Sequence, residues 1–541
     1  MTRELSFWAW GYEDRFPADD ARAVIAAHVA SMLGLAATPE ARTPPRIDDI
    51  TIPEPRITPP SSLAEIAKGS RLARARHTYG KSFRDLARGF HGDFASAPDF
   101  VASPRTEDDV ARVLAFCDAE NVAAIPFGGG TSVVGGVEAA GLSRYRGVVS
   151  IDMRAMDRVL EVDEVSRAAR VQAGATGPVL EKQLATHGLS LRHFPQSFEF
   201  STVGGWIATR AGGHFATLYT HIDDLVESVR MLTPRGAFES RRLPASGAGP
   251  SPDRMVLGSE GIFGVITEAW LRVQKRPRWR SSASVSFARF FSAARAARAI
   301  AQAQLYPANC RLLDAREATM NGVPHDAEDG GGVLLLGFES ADHPLASWMD
   351  RALAIALEHG GLCAKGAKHK DDSARSKDPT QDAWRQAFID APYLQSALVS
   401  LGVIADTFET ACTWDRFEEL HAAVTSAVTS AMKRVCGGGF VTCRLTHVYP
   451  DGPAPYFTFV APGPAEPSLE ATLAQWTAIK TAASDALLAH GATITHHHAV
   501  GRFHRPWYDR QRPELFAEAL RAAKRVMDPR AILNPGVLID P

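Results

Sequence analysis

From residue 98 to about 276 the chain alternates short apolar runs with helical stretches. "DFVASP" (99–104) predicts a strand. "TEDDVARVLAFCDAENV" (106–122) predicts a helix capped by its threonine, with acids in the first turn, where they suit the positive end of the helix dipole. "AAIPFGG" (123–129), "GVVSIDM" (147–153) and "AARVQAG" (168–174) predict further strands, and "TGPVLEKQLATHG" (176–188) another helix. Such alternation belongs to α/β or α+β architecture.

Beyond about 276 the pattern changes. Alanine-rich helices are predicted at 288–304, 345–359 and 412–434, with strand-like runs such as "GVLLLGFES" and "APYFTFVAP" between them. A second domain follows, with its boundary near "VQKRPRWRSS". Before the alternating region, 19–38 predicts an amphipathic helix ended by proline-rich sequence. Residues 43–60 carry too much proline for a helix or central strand and predict an extended strap. Residues 363–380 are charged and poor in apolar side chains, which predicts a mobile loop, either a plain connection or a lid.

Length adds that 541 residues exceed one domain. With 45% hydrophobic and 22% charged residues the composition is that of a soluble globular chain. A formal net charge of -2 gives no electrostatic case for nucleic-acid binding. The six cysteines show no CxxC or zinc-finger spacing and suit a reducing compartment. The N-terminus lacks the apolar stretch of a signal peptide, no run of about 20 apolar residues predicts a transmembrane helix, and "LIDP" is not a peroxisomal tripeptide. These features favour a cytoplasmic location or the face of a membrane.

The chemistry begins at "PFGGGTSVVGG" (126–136). So many free amides with so little side chain make either a phosphate cradle or a tight turn. The stretch is neither a P-loop nor a dinucleotide fingerprint, because no Gly-Lys-Ser/Thr follows and Val133 stands where a third glycine belongs. Two further glycine stretches, "PQSFEFSTVGGWIATRAGG" (195–213) and "LGSEGIFGVITE" (257–268), lie in the same region. Glycine lets main chain approach a ligand closely, and successive amides form anion-binding nests. Three such stretches suggest one extended ligand, and a pyrophosphate cofactor with a flat ring suits that shape.

"IPFGGGTSV", "VQAGATGPVLE", "EFSTVGGWIATRAGG", "MLTPRG" and "LGSEGIFGVITEA", in that order, resemble the FAD-binding domain of the vanillyl-alcohol oxidase/p-cresol methylhydroxylase type. Within that superfamily, "WAWGYEDRF", "CRLLD", "DTFETACTWDR", "CRLTHVY", "PYFTF" and "THHHAVGR" resemble the alkyl-dihydroxyacetonephosphate synthase family, from Trp8 almost to the C-terminus. The resemblance implies an α+β fold: an FAD-binding domain of two α+β subdomains, and a substrate cap with an antiparallel sheet flanked by helices. The corresponding divisions are an N-terminal segment and strap (1–97), the FAD-binding domain (98–276), the cap (277–490) and a segment returning to the flavin (491–541). It implies FAD held noncovalently, although His214 stands near enough in sequence to raise a covalent link.

The implied cofactor residues are Pro126, Phe127, Gly128, Gly129, Gly130, Thr131 and Ser132 in the first stretch. In the second they are Pro195, Ser197, Ser201, Thr202, Gly204, Gly205, Trp206, Thr209 and Arg210, and in the third Glu260, Gly261, Gly264, Val265 and Ile266. The implied reaction has no net redox change: flavin N5 bonds the substrate carbon of acyl-dihydroxyacetone phosphate, the fatty acid leaves, and a fatty alcohol takes its place. Tyr456 is matched to the family's active-site tyrosine, Arg311 to an arginine near the flavin, and His497 and His498 to catalytic histidines, with His496 and Gln395 on the substrate side. No metal is predicted. On a strand His496 and His498 would face one side and His497 the other, and no acidic or cysteine ligand is near in sequence.

Four residues, at three places, depart from the family pattern. Gln395 stands where the family usually has arginine, Ala499 where a glycine commonly follows the histidines, and Thr220–His221 where Gly-Asn is usual. Without the arginine a phosphorylated substrate loses a charge-assisted partner, so an FAD-linked oxidase or dehydrogenase of a 2-hydroxy acid or other alcohol is the alternative. The expected partners are a lipid-like or hydroxy-acid small molecule, a second copy of the chain and, peripherally, a membrane surface.

Overall fold

The computed structural model describes residues 3–219, 221–371 and 392–540. Three larger sheets organise it. The first has four strands in the order Ala67–Lys68, Phe100–Ala102, Val148–Asp152, Ala123–Phe127, the last three mutually parallel. Helix Glu107–Glu120 covers it. Thr106 and Asp109 close a capping box at its start, and Val110, Val113, Leu114 and Cys117 enter the core beneath the sheet. The first glycine stretch leaves from the C-terminal end of Ala123–Phe127, the end at which parallel strands present ligands.

The second sheet is antiparallel, in the order Val159–Asp163, Ala168–Gln172, Val265–Arg272, Val226–Thr233, Gly236–Glu239. Beside it, Thr202 caps helix Val203–Thr209 by accepting from the Gly205 amide at 3.3 Å.

The third sheet has eight antiparallel strands, and its centre and one edge run Asn309–Asp314, Phe440–Val448, Pro453–Pro462, Val403–Glu409. Helices Phe290–Gln302, Ala346–Glu358, Phe417–Cys436 and Leu469–Ala489 share one core with Leu312, Leu445, Phe457 and Phe408 of those strands. Strand side chains alternate faces. The neighbours Arg311, Arg444, Tyr456 and Glu409 therefore emerge on the opposite face, away from the helices.

Three local expectations change. The first helix, Asp19–Leu33, stops at Gly34, which takes the left-handed conformation at φ 61°, before the proline-rich stretch is reached. Within the predicted loop 363–380, Lys368–Lys370 is a strand paired with Trp279–Phe287, and 372–380 lie outside the described residues. Residues 495–498 are not a strand. They form bends.

Candidate functional site

A cavity of about 360 Å3 lies between the glycine stretches and the face of the eight-stranded sheet turned away from the four long helices named above. The first two stretches touch. A Cβ on Gly129 would sit 2.0 Å from the Phe200 carbonyl oxygen, and one on Gly128 would sit 2.3 Å from Thr202 Oγ1. Gly130 turns at φ 66°. Among the described residues nothing accepts a hydrogen bond from the amides of Gly129, Gly130 and Thr131, and successive free amides of this kind can form an anion-binding nest.

Pro126, Phe127 and all of Gly128–Ser132 line this cavity. So do Pro195, Ser197, Ser201 and Thr202, then Gly204, Gly205, Trp206 and Thr209 along one helix, and Glu260, Gly261, Gly264, Val265 and Ile266. Trp206 is locked by donating from Nε1 to Ser201 Oγ at 2.7 Å. Arg210 departs from expectation. As the left-handed C-cap of its helix it turns away from the cavity, and its guanidinium pairs with Asp223 at 2.6 Å.

The opposite wall holds Arg311, Tyr456, His497, His498 and Gln395, together with Arg444, Glu317 and His447, and His214 lines the cavity beside the second glycine stretch. Glu409, Tyr456 and Arg444 face one another across three adjacent strands. The Arg444 guanidinium lies 3.9 Å over the Tyr456 ring, and its charge is met by buried Glu317, which also receives the Thr442 hydroxyl. Tyr456 donates its hydroxyl to Thr407 Oγ1 at 2.9 Å. Burial pushes the Tyr456 phenol up, and Arg444 and the Thr407 contact oppose that. Burial, with Arg444 beside it, pulls Arg311 down to about 9. Gln395 accepts from Trp10 Nε1 at 3.0 Å and donates to the Ala405 carbonyl at 3.4 Å.

The histidine triplet does not alternate, because its backbone is not extended. The His497 ring lies 6.0 Å from that of Tyr456 and nearly parallel to it, and the His498 ring lies 5.4 Å away and edge-on. His496 sits behind them. Its Nε2 contacts the Tyr449 hydroxyl at 3.0 Å and its Nδ1 meets His497 Nδ1 at 2.9 Å. It is absent from the cavity wall, contrary to its expected substrate contact. Ring nitrogens of His447, His496 and His497 fall within 4.8 Å of one another, a grouping able to hold a metal ion that the assumed strand geometry concealed. Burial pushes His497 down to about 3 and His498 down to about 4, so both imidazoles are neutral near pH 7. Ala499, in place of glycine, holds φ 71°.

Sequence reasoning missed Glu409, Arg444 and Glu317, although "DTFETACTWDR" and "CRLTHVY" contain the first two. Glu409 accepts from the amides of His496 (2.6 Å), His497 (3.1 Å) and His498 (2.9 Å) and from the Thr495 hydroxyl (2.6 Å). Burial alone would raise its carboxyl. Positive charge on the imidazoles beside it would pull it down, but those rings are neutral near pH 7, where the Thr495 hydroxyl and the three amides are the donors that oppose burial.

Comparison with known proteins gives the cofactor. Residues 98–240 match the FAD binding domain model, and residues 276–538 match the model for the C-terminal domain of FAD linked oxidases. An alkyldihydroxyacetonephosphate synthase of Dictyostelium discoideum is 32% identical over 88% of this chain and 79% of its own. One of Trypanosoma brucei brucei is 29% identical over 86% and 77%. A solved structure of an alkyldihydroxyacetonephosphate synthase superposes with a TM-score of 0.79 at 26% identity, covering 98% of both chains. The protein is an FAD-dependent enzyme with the α+β architecture of that structure. Among the described residues no helix is long and apolar enough to cross a membrane.

Proposed function

The chain belongs to the alkyldihydroxyacetonephosphate synthase family, and we propose that it exchanges the acyl chain of acyl-dihydroxyacetone phosphate for a fatty alcohol in this cavity. The observation that carries the reading is the convergence of Tyr456, Arg311, His497 and His498 on the wall facing the glycine cradle. In this reading residues 98–276 hold FAD, 277–490 form the substrate cap, 491–541 return to the flavin, and 1–97 brace the cap.

The unpartnered amides of Gly129–Thr131 bind the FAD diphosphate, and the attachment is noncovalent. When bound, FAD would supply a nucleophilic ring nitrogen through which the substitution can run without net redox change. Arg311 remains charged at neutral pH and balances negative charge in a water-poor site. Tyr456, protonated at neutral pH, holds or delivers a proton at the substrate carbon. The carbon–oxygen bond to the fatty carboxylate breaks, the alcohol oxygen bonds the same carbon, and the alcohol proton passes to a neutral imidazole of His497 or His498.

Anaerobic incubation with acyl-dihydroxyacetone phosphate and isotopically labelled hexadecanol tests this. The expected result is a labelled ether product and free fatty acid, with no dye reduced. Bleaching of the flavin by a simple 2-hydroxy acid, with no ether formed, would reverse the assignment in favour of a dehydrogenase. The reading also carries a homodimer and shallow contact with a membrane that delivers long-chain substrate. Light scattering and vesicle co-sedimentation test those two, and release of flavin on denaturation tests noncovalent attachment.

A further inference from the structure

We infer that Glu409 is a positioning residue for the proposed reaction: its buried carboxylate fixes where His497 and His498 stand against Tyr456. The inference rests on the site reading above and goes beyond it by naming what holds the histidines in place.

Residues 495–501 belong to no helix or strand, and they are half-buried at 495–498 and buried at 499–501. Their amides need acceptors, because an unpaired buried amide is costly. Two carboxylates provide them. Glu409 takes the amides of His496, His497 and His498, and Glu260 takes those of Val500 (2.9 Å) and Gly501 (2.8 Å). Glu409 comes from the cap sheet and Glu260 from the third glycine stretch. The histidine segment is therefore pinned at both ends, from opposite sides of the cavity.

Glu409 is the end that bears on chemistry. It stands directly across from Tyr456 on the neighbouring strand. The segment is thus fastened to the same sheet row that carries the phenol, and the ring geometry follows from that fastening. Thr495 tightens it by donating to Glu409 and accepting from the His498 amide at 3.1 Å. Among the described residues no lysine or arginine lies within ion-pair distance of Glu409; its direct partners are these donors and the His497 and His498 rings, with Lys480 acting on it from farther away. A buried carboxylate that lost these donors would lose all of its hydrogen-bond donors, which opposes any drift of the segment. Simple loop support would not require a charge. Glutamine is the same size and accepts from some amides, but its NH2 would confront others.

The holoenzyme variant Glu409→Gln tests this. Flavin content and visible spectrum should match wild type, kcat should fall roughly 100-fold, as for a misplacement of about 1 Å, and KM should move by less than about threefold. A crystal structure should show the His497 and His498 rings displaced from Tyr456. If that variant does not fold, Thr495→Val removes one link only and should lower kcat about tenfold with the same KM pattern. Wild-type kcat with both rings in place, in either variant, overturns the inference. Should wild-type protein make no ether product, the proposed reaction fails, while the ring positions in Glu409→Gln still decide the role of Glu409.

Discussion

Tyr456 and Glu409 stand directly opposite each other on adjacent antiparallel strands, and Arg444 stands opposite Tyr456 on its other side. Facing residues of an antiparallel pair share a face. The sheet register alone thus assembles an anion, a phenol and a cation in one row on the cavity side. Phe408, Phe457 and Leu445, each adjacent in sequence to a member of the row, are buried with the cap helices and hold that register.

Tyr456→Phe should keep the fold and the FAD, because the ring remains packed between Arg444 and the histidines. It removes the hydroxyl that bonds Thr407. A positioned general acid or base typically contributes about 100-fold to 10,000-fold, and a fall in kcat of that order is expected. Single-turnover exchange at saturating substrate, with flavin absorbance as the loading control, measures it.

Gly129→Ala should lose FAD. The added methyl carbon would sit 2.0 Å from the Phe200 carbonyl oxygen, a main-chain atom that cannot step aside, so the cradle and the second glycine stretch must separate. The flavin-to-protein ratio should drop sharply and the melting temperature with it. Gly69→Ala meets nothing within 4 Å and should leave both unchanged, which separates crowding from a general intolerance of alanine.

Much of this was legible in the chain because it is local. The Thr106 cap, the strand Ala123–Phe127 and the three glycine stretches depend on neighbours a few residues away. What escaped depends on distant partners. Arg210 lies inside a cofactor motif, but a left-handed cap aims it at Asp223. The histidine triplet looks extended until Glu409, from another element, takes its amides. Arg444 stands out only once the Phe440–Val448 and Pro453–Pro462 register places it over Tyr456.

Glu260 should give a pH signature in stability. Burial pushes its carboxyl up to about 7 from an ordinary 4.5, against two amide donors. Between those values the folded chain binds more protons at this site than the unfolded chain. Its contribution to the unfolding free energy therefore falls as pH rises from about 4.5 to about 7, by on the order of 3 kcal/mol at most, and is flat above. Denaturant unfolding of wild type and Glu260→Gln from pH 5 to 8, taken as a difference, should show that decline. A difference curve level across the window would count against it.

Gln395→Arg should tighten binding of a phosphorylated substrate. Arg311 and Arg444 are the arginines on the cavity wall among the described residues, and Arg444 pairs with Glu317. Gln395 brings no charge, and its amide is engaged by Trp10 Nε1 and the Ala405 carbonyl. A guanidinium at 395 adds a charge-assisted donor, which corresponds to roughly tenfold to a hundredfold in affinity. The substitution also removes the acceptor for buried Trp10 Nε1, at a stability cost of about 1 kcal/mol. Comparing KM for acyl-dihydroxyacetone phosphate and its dephosphorylated analogue separates the two effects, since general damage raises both values and a headgroup contact lowers only the first. An unchanged ratio would mean that position 395 does not face the headgroup.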